Sequence, residues 1–265
     1  MPEPGRPPLQ SAIGRATPDA ITVRGLDLAG ELMGQVSFVE LAYLLATGRR
    51  PTPAQVRVFD AGLVALADHG LTPSVLAARL TLTGAPEALQ GAVAAGLLGG
   101  GSALLGPTED AARFLAGVLA AAGPDADEAA LEQAAATAVR ARAAARERIP
   151  GLGHPLHKDG DPRVPRLYAI AAEEGLLGPH LALLRVVHGV AGEVTGRKLP
   201  INGAGAVGAA LADAGLPIDL LRGFSLLARV AGLLGHLAEE REHPLGPGLW
   251  RDAEERLDYV AEPPD

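Results

Sequence analysis

The segment Gly151–Arg163, GLGHPLHKDGDPR, gathers residue types that handle anions. Its glycines let the backbone approach a ligand closely. His154 sits just after them and before Pro155, which holds the chain extended at that point. His157 and Lys158 add donors or positive charge. Arg163 follows Asp161-Pro162, a helix-start dipeptide, so it falls in a first helical turn. There its guanidinium can join the positive end of the helix dipole in holding a carboxylate or phosphate. A polar connecting loop with two solvated histidines is the alternative that composition leaves open.

Other candidates are more isolated. Asp68-His69 stands at a helix end, where a His more often caps than binds. Arg229 lies among Leu226, Leu227, Val230 and Leu233. A charge there needs a partner or a pocket, because desolvating it alone is costly. That partner is Glu239, another carboxylate or a ligand. His236 and Glu239, on the same helix, read as structural. The run Gly99-Gly100-Gly101-Ser102 lacks the ending of a phosphate-cradling P-loop and reads as a close-approach turn. The seven His are dispersed along the chain, and no carboxylate–His spacing suggests a metal.

Helices must position these groups. Ala and Leu dominate the 48% apolar fraction and aromatics are only 3%, which favours closely packed helices over strands. The 34 Gly and 22 Pro predict that these helices are short. Ser37 with Glu40 forms a capping box for a helix with Phe38, Leu41, Ala42, Leu44 and Leu45 on its apolar face, ending at Gly48. Thr52-Pro53 and Thr72-Pro73 start the next two. Further helices are expected near 86–98, 108–122, 127–147, 162–174, 180–195, 204–214, 218–241 and 248–259. Residues 1–19 read as an irregular arm, and 20–23 as the one strand-like piece. No βαβ alternation appears, so a Rossmann sheet is not expected.

Net charge is −8, which gives no global attraction for nucleic acid or an anionic membrane. With no Cys, disulfides and thiolate catalysis are excluded, and a cytoplasmic setting is expected. MPEPGRPPLQ lacks an apolar core, so no signal peptide is expected. The most apolar stretch, 91–106, is too short to span a membrane.

In combination these landmarks resemble citrate synthase and its short citryl-CoA lyase-like relatives, over roughly Ile21–Glu240. RGLDLAGELMGQVSFVELAYLLATGRRPT resembles the family's amino-terminal helical region. ADHGLTPSVLAARLT resembles its DHE-type motif, and GLGHPLHKDGDPR its GFGHxxxKxxDPR signature. ARVAGLLGHLAEE resembles the late helix opening on a carboxylate-binding Arg. The resemblance implies an all-α, two-domain homodimer: a large domain of 1–107 and 219–265, and an inserted small domain of 108–218. It implies reversible joining of acetyl-CoA to oxaloacetate or cleavage of citryl-CoA, with a coenzyme A thioester as substrate or ligand and no permanent cofactor. His154 would hydrogen-bond the oxo-acid's keto oxygen, and His69, Arg163 and Arg229 would hold its carboxylates. Leu152, Gly153, Pro155, Leu156, His157 and Lys158 would lie against the CoA nucleotide.

The departures fall on proton transfer. Leu105 stands at the position of the family's HGGA-type His, and Ala204 at that of its NVD-type Asp. Neither can move a proton, and such groups are typically worth about 10²–10⁴-fold each. The late Arg that one subunit lends its partner is replaced by the stretch Pro247-Gly248-Leu249-Trp250. His157, Asp159, Glu109 and Glu193 are candidate replacements. Three readings follow: a citryl-CoA lyase type with substitute groups, a lyase or synthase for a smaller oxo-acid, or a catalytically silent acyl-CoA and dicarboxylate binder.

Overall fold

The computed structural model describes residues 9–261; the leader reading made on the first residues lies largely outside them. The fold is all-α apart from a small antiparallel meander: β1 Gly14–Ala16, β2 Ile21–Val23 and β3 Leu26–Asp27. Instead of one strand-like piece, three short strands form. Arg24 and Gly25 make the tight turn between Val23 and Leu26, with φ of 50° and 84°, the left-handed pair that suits a right-twisted hairpin.

The helices begin where local capping dictates. α1 (Phe38–Thr47) starts at the Ser37/Glu40 capping box and ends on left-handed Gly48. α2 (Pro53–Ala67) starts at a second box, Thr52/Gln55, and α3 (Pro73–Gly84) at Thr72. Phe38 departs from the expected apolar face: it is 66% exposed, and α1 is anchored by Tyr43 and Leu44. α4 (Leu89–Leu98) leads into a π-helical turn, Gly101–Leu105, and then α5 (Pro107–Ala122). Gly106 allows that turn to close, since a Cβ there would sit 2.6 Å from the Ser102 carbonyl oxygen.

α6 (Glu128–Ala144), α7 (Arg163–Glu173), α8 (Pro179–Thr195) and α9 (Gly203–Asp213) follow, then α10 (Leu221–Glu242) and α11 (Gly246–Glu255). The main core joins α1, α2 and α5–α9 with the first half of α10, around Phe59, Leu115, Leu184, Leu211 and Phe224. α9 is its centre: Gly203 and the run Gly205–Leu211 are buried. A second cluster (Val75, Ala78, Leu82, Ala92, Leu233, Leu237) packs α3 and α4 on the second half of α10. Among the described residues no helix is long and apolar enough to cross a membrane.

Candidate functional site

A cavity of about 2500 Å³ opens where the loops before α3, α5, α7 and α9 meet α10. Of the residues singled out in the sequence, His69, Leu152, Gly153, His154, Pro155, Leu156, Lys158, Arg163 and Arg229 line it. His157 does not line it but packs against the rings of His154 and His69, with centroids 4.5 and 5.5 Å away. His69, 85 residues before His154 in the chain, thus joins a trio of imidazoles that the linear sequence hides.

The loop carrying His154 is strapped to the entry of α9. Gly153 N–H donates to the Pro200 carbonyl (2.7 Å), and Asn202 N–H to that of Gly151 (3.0 Å). The Asn202 side chain caps α9 by accepting from Gly205 N–H, and its amide donates to the Gly153 carbonyl. Gly151 and Gly153 have φ of 85° and 76°, where L side chains are strained. A Cβ on Gly205 would meet the Gly151 carbonyl oxygen at 2.7 Å, so backbone lies directly on backbone.

This loop fixes the polarity of His154. Its Nδ1 accepts from the Leu156 and His157 amides, each at 3.1 Å. In the neutral ring the proton is therefore on Nε2, which becomes a donor. Burial first, then the neighbouring His157, His69 and Arg163, push the His154 pKa down, against an opposing pull from Asp161. The imidazole is thus held neutral. Nitrogens of the trio lie within 4.8 Å of one another. With His154 Nδ1 occupied and guanidiniums nearby, the arrangement suits an anion's oxygens better than a cation.

The two arginines differ sharply. Arg163 opens α7 and is already neutralised: its Nε and Nη2 donate to the two carboxylate oxygens of Asp161 (2.9 and 2.7 Å), and Nη1 to the Ala65 carbonyl (3.0 Å). Burial alone would raise the Asp161 pKa, but these bonds and the Arg163 and Gly203 amides hold it well below the usual carboxylate range. Gly203 is required here, because a Cβ would sit 2.5 Å from Arg163 Nε. Arg229, by contrast, is 7% exposed, and its buried Nε and Nη1 have no hydrogen-bond partner among the described residues. Burial lowers its pKa, partly offset by attraction to Asp68.

Glu239 is not the partner of Arg229. With Glu240 it pairs to Arg79, a fully buried side chain. Arg79 also donates to His236 Nδ1 (2.9 Å), leaving Nε2–H to donate to Asp68 (2.8 Å). Asp68 caps the turn before His69 by accepting from Gly70 N–H. His236 and Glu239 are therefore structural, as their sequence context suggested, but they brace the His69 turn.

The cavity lining is basic elsewhere too. Arg146, Arg148, Lys158 and Arg197 line it, while Arg142 is paired with Glu147 (2.5 Å) and Lys198 with Asp159 (3.0 Å). That Arg146 and Arg148 line the cavity has no signature in the local sequence. Leu105 and Ala204 also line the cavity, and Leu105 is buried. Of the candidate replacement groups, Asp159 is exposed and bound to Lys198, Glu109 pairs with Arg113, and Glu193 is exposed. His157 alone is beside His154.

The described residues form an all-α fold, apart from its small meander, around a cavity lined by His154 and by the buried Arg229. Residues 46–251 match the family model for the citrate synthase C-terminal domain. The chain belongs to the citrate synthase family. It is 28% identical over 200 residues to citrate synthase 2 of Bacillus subtilis (strain 168), and 29% over 201 residues to citrate synthase of Deinococcus radiodurans. It covers 74% of its own length in each match and spans 50% of those relatives. Among solved structures, citryl-CoA lyase from Hydrogenobacter thermophilus is similar at 33% identity and a TM-score of 0.84, covering 97% of this chain and 96% of that one. ATP citrate lyase from Methanothrix soehngenii shares the fold, with a TM-score of 0.76 at 22% identity, covering 97% of this chain and 43% of that one.

Proposed function

We propose that the cavity binds a coenzyme A thioester beside its basic residues Arg146, Arg148, Lys158 and Arg197 and a small oxo-acid beside His154 and Arg229, for carbon–carbon cleavage or condensation of the citryl-CoA type. The observation that carries this reading is Arg229. Arg229 lines the cavity, and its buried Nε and Nη1 have no hydrogen-bond partner among the described residues, a cost that an anion bound beside its charge would offset. His154 Nε2–H is the donor for the oxo-acid's keto oxygen, polarising the carbon that gains or loses the bond. His69 and Arg163 supply further hydrogen bonds to the acid. Gly153, Pro155, Leu156 and Lys158 lie along the path of the thioester. A homodimer, and a small unit of 108–218 closing over the cavity, belong to the same proposal.

In cleavage, the hydroxyl proton passes to water as the carbon–carbon bond breaks and the keto oxygen forms beside His154 Nε2–H. The electron pair passes to the thioester α-carbon, which is then protonated. Leu105 and Ala204 offer no group for the last step and His157 does not line the cavity, so water supplies that proton. The same two residues favour a second reading: a homologue that binds acyl-CoA and oxo-acid without turnover. Incubation with citryl-CoA separates them. Acetyl-CoA released above the no-protein background supports the lyase, whereas saturable binding without release supports the silent binder. Neither binding nor release would remove both.

A further inference from the structure

We propose that the groove between α5 and α6 holds an alkyl chain carried by the thioester's acyl group, so that the protein takes medium-chain acyl thioesters of coenzyme A in preference to acetyl-CoA. This rests on the reading that the cavity receives a coenzyme A thioester. An acetyl group, the shortest member of the class, still enters but leaves the groove empty.

The cavity does not stop at the histidine loop. Its lining continues along one stripe of α5 through Phe114, Gly117, Val118 and Ala121, and along the facing stripe of α6 through Ala134, Ala138 and Ala141. The two helices form a hairpin, joined by the short turn of 123–127, so the end of α6 returns to the start of α5. Arg142 accordingly stacks over the Phe114 ring, 5.8 Å from its centroid. That end of the groove meets the site: Leu105 is separated from α5 by Gly106 alone, and a Cβ on Gly151 would touch the Ala111 Cβ at 3.5 Å. From Asp110 to Ala122 the groove runs about 18 Å at the rise of an α-helix. Small side chains keep it open, and a Cβ on Gly117 would meet nothing within 4 Å.

Charge and volume select the occupant. Beyond Arg113 and Arg142 the lining on these two helices carries no charge, and exposed Gln133 and Thr137 are its polar members. The cationic side chains Arg146, Arg148, Lys158 and Arg197 lie instead on the segment after α6, on the histidine loop and after α8. A molecule matching both parts has anionic groups at one end and an uncharged apolar tail at the other, as an acyl-CoA does. A small-ligand pocket is about 300–1,000 Å³, and this cavity, at about 2500 Å³, has room for the tail as well as the head. Leu105 and Ala204, which also line the cavity, give the start of the chain an apolar passage. A straight alkyl chain keeps the hydrogens on the thioester's α-carbon, so the carbon–carbon chemistry is unaffected.

The test is calorimetric titration of the full chain with CoA, acetyl-CoA, butyryl-CoA, hexanoyl-CoA and octanoyl-CoA. Affinity should rise by roughly twofold per added methylene, about half the effect of full burial because the groove is open along one side. Octanoyl-CoA should therefore bind at least about tenfold more tightly than acetyl-CoA, at one molecule per chain. Gly117→Leu fills the groove and Gly117→Asp puts a charge in it. Both replace a mid-helix glycine by a better helix former where space is free, so both should fold. Each should remove most of the octanoyl gain while leaving acetyl-CoA affinity within about twofold. Equal affinities across the series, with CoA still bound, overturn the inference and leave the functional reading standing. A gain that survives in both variants also overturns it, because the chain then lies elsewhere. No binding of CoA or of any thioester removes both.

Discussion

Replacing Arg229 by Met should make the empty protein more stable while removing its affinity for oxo-acids. Arg229 is 7% exposed, with Nε and Nη1 buried and without a partner among the described residues. Each unsatisfied buried polar group costs about 1–3 kcal/mol. Asp68 returns part of that through its attraction, although its oxygens are already bonded elsewhere. Met keeps most of the side-chain volume, so no large cavity opens. The net gain is about 1–3 kcal/mol, within the range seen when buried charges give way to apolar residues. For a chain of this size that is roughly 3–9 °C in Tm. Differential scanning calorimetry of the ligand-free proteins measures it. A fall in Tm of several degrees would mean that Arg229 is part of the scaffold, and the ligand argument built on it would fail.

Three further outcomes follow. Asp161 is held ionised in the fold, so its pairing stabilises the protein fully above the unfolded carboxylate value of about 4 and is lost as pH falls below that; acid unfolding of Asp161→Asn should lack this component, and identical curves would contradict it. Gly205→Ala gains about 1 kcal/mol in helix propensity but drives a Cβ onto the Gly151 backbone; urea unfolding should show a net loss of about 1–3 kcal/mol together with weakened ligand binding, and a more stable variant would refute the close packing. His154→Ala should weaken oxo-acid binding about tenfold while leaving CoA affinity within about twofold, as loss of one buried hydrogen bond implies; equal loss of both ligands would show that the whole loop had collapsed.

The sequence revealed features whose cause is local. Ser37 with Glu40, Thr52-Pro53 and Gly48 mark helix ends through bonds made within four residues, and those ends appear where expected. The short β-meander was half-visible, because its Arg24-Gly25 turn carries the signal but its strands are too short for a hydrophobic period. The His154-to-Arg163 segment was legible as a site because its chemistry is contiguous. What could not be read was compensation. Asp161 looked like a helix-start residue, yet it cancels the charge of Arg163. Glu239 looked available to Arg229, yet Arg79 takes it. His69 joins His154 only through the docking of α2 against α10 and α7. The absence of proton-transfer groups at positions 105 and 204 was legible only beside the family pattern.

The central claim is that one cavity receives a coenzyme A thioester and an oxo-acid anion together. Sequential calorimetric titration with acetyl-CoA and then freshly dissolved oxaloacetate tests it most directly. The account predicts saturable binding of both, with acetyl-CoA affinity falling as salt rises because exposed Arg146, Arg148 and Arg197 carry its phosphates. No heat from either ligand, alone or together, would contradict it.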